Sequence, residues 1–420
     1  MLLKRRRISR RPSVANQNMR NVDLSKLADS DKLTRDEQIE LNKMKSKREK
    51  ADEDSGHCLF CDADFRNSSK KKGRCNSHSV PKEVLKRLTV SGCPRTINSI
   101  INFDGAPKKV GNNNAGTFGL ICRECDSKVF SEYETYPYDN EIGGEPDDVQ
   151  RILAEIALKD YLFEYDRSLQ RKQGYKGLGA SLIKDYNNFL CQYDRSRLST
   201  ARCAHVQDNL DRYRVQIQSC NDQVQMADLD IKDFKEQVKE TKRFIDSIND
   251  GLSSEKRYEI WCQHVFDCTV PLACQGLISP ECSFKNEVLN NRHNPDECIQ
   301  SLHIAIFPLN SGKTFILAFS EVTADRLGIL KDELRKMCDK EQLKALLTLF
   351  MMYSEDVFLS DDSVADSVLS NDSLRRIAGY NGTIAYNRSK EPSSEDYAEE
   401  AYSILSLYKK IPDELLGLSI

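Results

Sequence analysis

Between residues 203 and 248, apolar or small side chains return at alternating spacings of three and four: Cys203, Val206, Leu210, Tyr213, Ile217, Cys220, Val224, Ala227, Ile231, Phe234, Val238, Thr241, Ile245 and Ile248. An a/d seam held over about six heptads specifies a left-handed coiled coil. At ~1.5 Å rise per residue the helix runs on the order of 65 to 70 Å. Such a seam cannot face water along its length, so the helix must pair with another helix of this chain or with a second copy. Gly251 and the serines after it end the pattern. Upstream, Pro146, Asp147 and Asp148 make a helix start, and Val149, Ile152, Leu153, Ile156, Tyr161 and Tyr165 share one face. The stretch "ASLIKDYNNFLCQY" reads as a second helix.

The chain of 420 residues is too long for one ordinary core, and roughly two to three domains are expected. A hydrophobic fraction of 39% with 30% charged residues describes a soluble globular protein. The acidic, turn-rich "YPYDNEIGGEPDD" marks a boundary, and beyond residue 258 the pattern turns mixed. There "SLHIAIFPL" and "TFILAFSEV" flank "NSGK" as a β-hairpin, and "ADRLGILKDELRKMCDKEQLKALLTLFMMY" and "EDYAEEAYSILSLYKKI" follow as helices. The expected fold class is α+β. It comprises a basic arm at 1–52, a small metal-bound ββα module at 53–138, a helical region at 147–252 with the coiled-coil helix at 203–248, and a separate α+β domain at 258–420.

The net charge of −3 conceals an asymmetry, because Lys4, Arg5, Arg6, Arg7, Arg10, Arg11 and Arg20 occupy the first twenty residues without one acid. Such an arm is drawn to phosphate, or is simply a solvated tail. An Arg-rich start also suits a mitochondrial presequence, although its apolar residues form no clear helical face. No apolar run approaches the ~18 residues that span a bilayer, and "MLL" is too short for a signal-peptide core. The expected location is the cytoplasm, with no membrane partner.

In a reducing cytosol, fifteen cysteines stay as thiols, and Cys-x-x-Cys pairs there hold metal more often than they form disulfides. "HCLFCDADF" supplies Cys58 and Cys61, and "ICRECDSKVF" supplies Cys122 and Cys125 with the same gap. Zn²⁺ takes four thiolate or imidazole ligands in a tetrahedron, so these four thiols are the candidate structural zinc site. His57 and Cys75 are weaker candidates. Cys93, Cys191, Cys203, Cys220 and Cys338 read as small core residues.

Between the knuckles lies "SHSVPKEVL", in which His78 is followed by Pro81 and a leucine, and the second knuckle closes on a helix. This order resembles the zinc-stapled form of the HNH endonuclease, or ββα-metal, superfamily. The likeness covers residues 57–136, under a fifth of the chain. More loosely, "CDSKVFSEYE" and the helical continuation resemble uncharacterised bacterial HNH-like proteins, some thought to act in phage defence or as toxins. The resemblance implies that His78 is the general base for phosphodiester hydrolysis and that Asp126, with Glu132 or Glu134, holds a catalytic Mg²⁺ or Mn²⁺. It departs from the family pattern at Ser77, where a metal-binding Asp is expected, at Thr117, where an Asn often orients the base, and at Asp126, where Asn or His is usual. The competing reading is a catalytically inactive zinc scaffold that binds nucleic acid or a partner, with the coiled coil as a homodimer or partner arm. A third is a coiled-coil interaction protein with no nucleic acid at all.

The loop "SSKKKGR" places Lys70, Lys71, Lys72 and Arg74 within the module, where cations neutralise phosphates or remain merely solvated. "NSGKT" lacks the first glycine of a P-loop and lies between strands, so it is not a nucleotide site. Cys262, Cys268, Cys274 and Cys282 with His264 lack chelating spacings and read as core or turn residues. His205, His293 and His303 read as single histidines whose hydrogen bonds are satisfied.

Overall fold

Along the central strands, successive side chains enter two different cores, which fixes the layering of the molecule. The computed structural model describes residues 56–65, 69, 71–89, 92–97, 107–192, 200–252, 256–291, 297–354, 356–360, 366, 370–387 and 394–418. The chain divides into two units, 1–53 and 54–420. The first, with the expected basic arm, lies outside the described residues.

The fold is α+β. Its elements begin with β1 (Ser77–His78), α1 (Lys82–Leu88), β2 (Arg95–Ile97), β3 (Pro107–Lys109), β4 (Thr117–Phe118), α2 (Arg123–Val129) and α3 (Ser131–Thr135). Two long helices follow, α4 (Pro146–Gln192) and α5 (Thr200–Asn249). Then come β5 (Tyr258–Phe266), β6 (Leu272–Ile278), β7 (Leu302–Pro308), β8 (Thr314–Glu321), α6 (Gly328–Leu334), α7 (Asp339–Tyr353), β9 (Val357–Leu359), α8 (Asp372–Asn387) and α9 (Ser394–Leu405). β1 and β4 pair alone, and the other strands form an antiparallel sheet in the order β3-β2-β9-β6-β7-β8-β5.

Strands buried on both faces read as continuous apolar runs, and β6, β7 and β8 do so. Cys274, Ile304, Ile306, Ile316, Ala318 and Leu359 face one core, with Leu330 of α6, Leu346 and Phe350 of α7 and Ile377 of α8. Their neighbours Ala273, Leu277, Ala305, Phe307, Leu317, Phe319 and Phe358 face the other, with Leu153, Ile156 and Leu162 of α4 and with Phe130 and Tyr133. The first half of α4 is therefore sandwiched between the sheet and the residues around β1, β4 and α2.

The expected separate C-terminal domain is not what the chain builds. β2 pairs with β9, Arg95 opposite Leu359, and β9 pairs with β6, so residues from the cysteine-rich segment extend the C-terminal sheet. The cause is long-range strand pairing, which leaves no mark in local composition. The hairpin around "NSGK" forms as expected, with Gly312 at φ 78 and the Leu309 N–H donating to the Lys313 carbonyl at 2.8 Å.

The heptad seam finds its partner within the chain. α4 and α5 run antiparallel: Tyr161 meets Phe234, Lys172 pairs with Asp228, and Tyr186 meets Tyr213 at 6.4 Å. Every seam position from Val206 to Ile248 is buried or half-buried; the Cys203 side chain lies outside the described residues. "ASLIKDYNNFLCQY" is no second helix but the end of one α4 of 47 residues. Of its glycines, Gly179 faces α5, where a Cβ would stand 3.5 Å from the Cys220 Cβ. No helix among the described residues is long and apolar enough to cross a membrane.

Candidate metal centre and the His78 strand

Two turns bring the thiols together. In the first, the Asp62 N–H donates to the Cys58 carbonyl at 2.9 Å and Asp62 adopts φ 55, which folds Cys61 back toward Cys58. In the second, Cys122 caps α2, its sulfur accepting the Cys125 N–H at 3.4 Å. The Leu59 N–H donates to the Leu120 carbonyl at 3.1 Å, which holds the turns against each other, and the Cys122 N–H reaches the Cys58 sulfur at 3.3 Å. The sulfurs of Cys58, Cys61, Cys122 and Cys125 all lie within 4.8 Å of one another, with Cys61 and Cys122 3.7 Å apart. Four sulfurs about 2.3 Å from one ion would stand about 3.8 Å apart, so the arrangement could hold a metal such as zinc. Burial and the three neighbouring thiols push Cys125 well above the usual thiol range, and a bound cation is what makes four such groups ionise together.

The weaker candidates lie outside this cluster. His57 is exposed and turns its Nδ1 to the Asp62 carbonyl at 3.1 Å. The Cys75 thiol donates to Asp126 Oδ2 at 3.4 Å, and burial together with that carboxylate pushes it up to about 12. Among the other cysteines, Cys220, Cys262, Cys274 and Cys282 are buried, whereas Cys338 is exposed, contrary to a core role. It caps α7 instead: its side chain accepts from the first turn while its own N–H donates to Glu341 Oε2 at 3.2 Å. The Cys191 side chain lies outside the described residues, and Cys93 is half-buried.

His78 ends β1 opposite Thr117 of β4, and α2 follows β4, while α1, β2 and β3 lie between the two paired strands in the chain. The imidazole is half-buried, and its Nε2 lies 2.9 Å from the Asn112 carbonyl. A carbonyl only accepts, so Nε2 carries the proton and Nδ1 keeps its lone pair. Burial, then the charges of Lys159 and Lys82, hold the imidazole below its ordinary 6.5, against the raising effects of the Asn112 bond and Asp126. The orienting group is thus a backbone carbonyl. Thr117 turns its hydroxyl to the Asn114 carbonyl at 3.5 Å.

Asp126 sits one residue past the second knuckle and is already engaged: the Ser77 hydroxyl donates to Oδ1 at 2.6 Å and Cys75 to Oδ2. Glu132 and Glu134 do not join it. Glu134 pairs with buried Lys159 of α4, and Glu132 faces Arg151 at 3.6 Å. Lys71 and Lys72 are exposed beside the start of α2, where the Glu124 N–H donates to the Lys71 carbonyl at 3.0 Å. Arg74 instead lays its guanidinium over Phe65 at 5.3 Å and against Gly119. Lys70 lies outside the described residues, as do His293 and the His205 side chain.

Other polar groups came together that sequence reading did not single out as a set. His303 Nδ1 lies 2.7 Å from Asp160, whose other oxygen accepts Gln275 Nε2 at 2.9 Å. The Tyr133 hydroxyl donates to Gln275, and its backbone N–H donates to Glu155 Oε2 at 2.9 Å. Burial raises Asp160 and pushes Glu155 up to about 7. The signal for them was available: Glu155, Lys159 and Asp160 interrupt an apolar helical stripe at positions that must be covered. No family model, curated protein or solved structure matches this chain.

Proposed function

We propose that this chain is a metal-dependent nuclease of the HNH type, in which His78 is the general base and Cys58, Cys61, Cys122 and Cys125 hold a structural Zn²⁺. The observation that carries the reading is the hold on His78. With Nε2 donating to the Asn112 carbonyl and burial keeping the ring neutral, Nδ1 is a fixed acceptor for a water proton near neutral pH. The four thiols fix the start of α2, and with it Asp126, relative to β1. A carboxylate offers about four lone-pair sites, so Asp126 keeps acceptor capacity beyond Ser77 and Cys75. A divalent ion held there, Mg²⁺ or Mn²⁺, supplies charge neutralisation at the leaving oxygen. Lys71 and Lys72 supply the exposed cations for the phosphate backbone. The resemblance to bacterial proteins thought to act in phage defence or as toxins supports a role in destroying nucleic acid in the cytoplasm.

A second reading is a zinc-bound scaffold that binds nucleic acid without cutting it. It is favoured by the engagement of both Asp126 oxygens and by the pairing of Glu132 and Glu134 with cations of α4. The test is cleavage of plasmid DNA and of single-stranded RNA with Mg²⁺ or Mn²⁺, comparing wild type and His78→Ala with metal content read on the same samples. Cleavage lost in the variant at unchanged zinc is the expected result. Nucleic-acid binding without cleavage by either protein would overturn it in favour of the scaffold.

A further inference from the structure

Ser79 follows the candidate base directly, and it is tied to a residue from the far end of the sequence. Its N–H donates to the Gly116 carbonyl at 2.7 Å, and its hydroxyl donates to Asp356 Oδ2, 277 positions on. Asp356 stands immediately before β9, is buried, and rises to about 7 through desolvation, against Arg167 and with Glu164 and Asp160 reinforcing it. Gly116 completes the junction at φ +57: a Cβ there would stand 2.8 Å from Phe358 Cζ and 3.0 Å from Asp356 Oδ1. Only glycine fits.

The turn that carries Gly116 also carries Asn112. The Asn114 and Ala115 N–H groups donate to the Gly111 carbonyl at 2.8 and 3.1 Å, which closes it into one compact unit. One end of this turn accepts from the His78 ring and the other from the Ser79 backbone, so adjacent residues of the strand are gripped by the same loop. Asp356 presses on that grip from outside.

A buried carboxyl that accepts from a hydroxyl is a costly way to fill a core, where an apolar side chain would serve. Its use beside His78 points to alignment.

We propose that Asp356 is a positioning residue for His78: by accepting the Ser79 hydroxyl it sets the depth at which the imidazole meets the Asn112 carbonyl. The C-terminal sheet is thereby part of the frame of the candidate site. The inference deepens the reading of His78 as general base and rests on it for its functional meaning, although the positioning is measured independently.

The test is the titration of the His78 ring followed by NMR of the zinc-loaded full-length chain, for wild type, Asp356→Asn, Asp356→Ala and Ser79→Ala. Asn keeps an acceptor for the hydroxyl, so its midpoint should stay with wild type, below 6.5. Both alanine variants should move upward toward that ordinary value, and the pH profile of cleavage should move with them. Unchanged midpoints in folded alanine variants would overturn the proposal. If Asp356→Ala fails to fold, Ser79→Ala decides alone. Shifted midpoints in a chain that cleaves nothing would uphold the positioning and sink only the assignment of His78 as base.

Discussion

Arg95 lies opposite Leu359 in antiparallel register, and Leu359 lies opposite Leu272 on its other side. The cysteine-rich segment and the C-terminal sheet therefore share a hydrogen-bond ladder, and they should lose structure together. Trp261, the one tryptophan, is buried in β5 at the opposite edge of the sheet and reports on it. In urea, its fluorescence change and zinc release to a chromophoric chelator should follow one curve. Zinc release at clearly lower urea would show that the metal-binding segment opens by itself.

Metal content separates ligands from neighbours. Cys122→Ser should lose the ion and destabilise the chain severely, since structural zinc contributes on the order of 10 kcal/mol in small domains. Cys75→Ser, one residue pair away at Asp126, should keep one ion per chain. Elemental analysis after gel filtration checks both, and ion loss in Cys75→Ser would enlarge the ligand set.

The α4 and α5 pairing gives a contrast between two side chains of one helix. Leu210 has no exposed surface and Val215 is 69% exposed. Leu210→Ala should cost about 2 to 5 kcal/mol, whereas Val215→Ala should stay within about 0.5 kcal/mol. Denaturant unfolding measures both, and equal costs would contradict the pairing of the seam within the chain.

Glu155 predicts a direction for pH. Burial pushes its carboxyl up to about 7 from 4.5. Between those values the native chain holds a proton that the unfolded chain has released, so this source of stability is fully present below about 4.5 and is lost as pH rises through about 7. Glu155→Gln removes the titration. The melting-temperature advantage of wild type over the variant should shrink between pH 5 and 8, a change on the order of a kcal/mol or two. A constant difference across that range would show that Glu155 is ionised throughout.

How far the sequence discloses the structure depends on the range of the interaction. The thiol pairs and the seam from Val206 to Ile248 are local patterns with strict spacing, and both were legible. The hairpin at "NSGK" was legible for the same reason. The β2 and β9 pairing was not, because three-residue strands far apart carry no periodicity and Arg95 and Thr96 lack an apolar signature. The single α4 was misread as two helices, Pro146–Gln192 being continuous through the stretch between them. At the candidate site, the sequence singles out His78 but not its hydrogen bond to Asn112, which is made through a carbonyl that every residue possesses.

The position of β9 has a consequence for synthesis on the ribosome. The thiol turns are complete once Cys125 has emerged, so the ion can bind early. Strand β2 then has to wait for β9, which is made only after residue 357. At about 5 to 20 residues per second this interval is on the order of ten seconds or more, during which β2 presents an unpaired edge. A nascent chain stalled before β9 would carry the four thiols and the long helices but lack Asp356, the acceptor of the Ser79 hydroxyl.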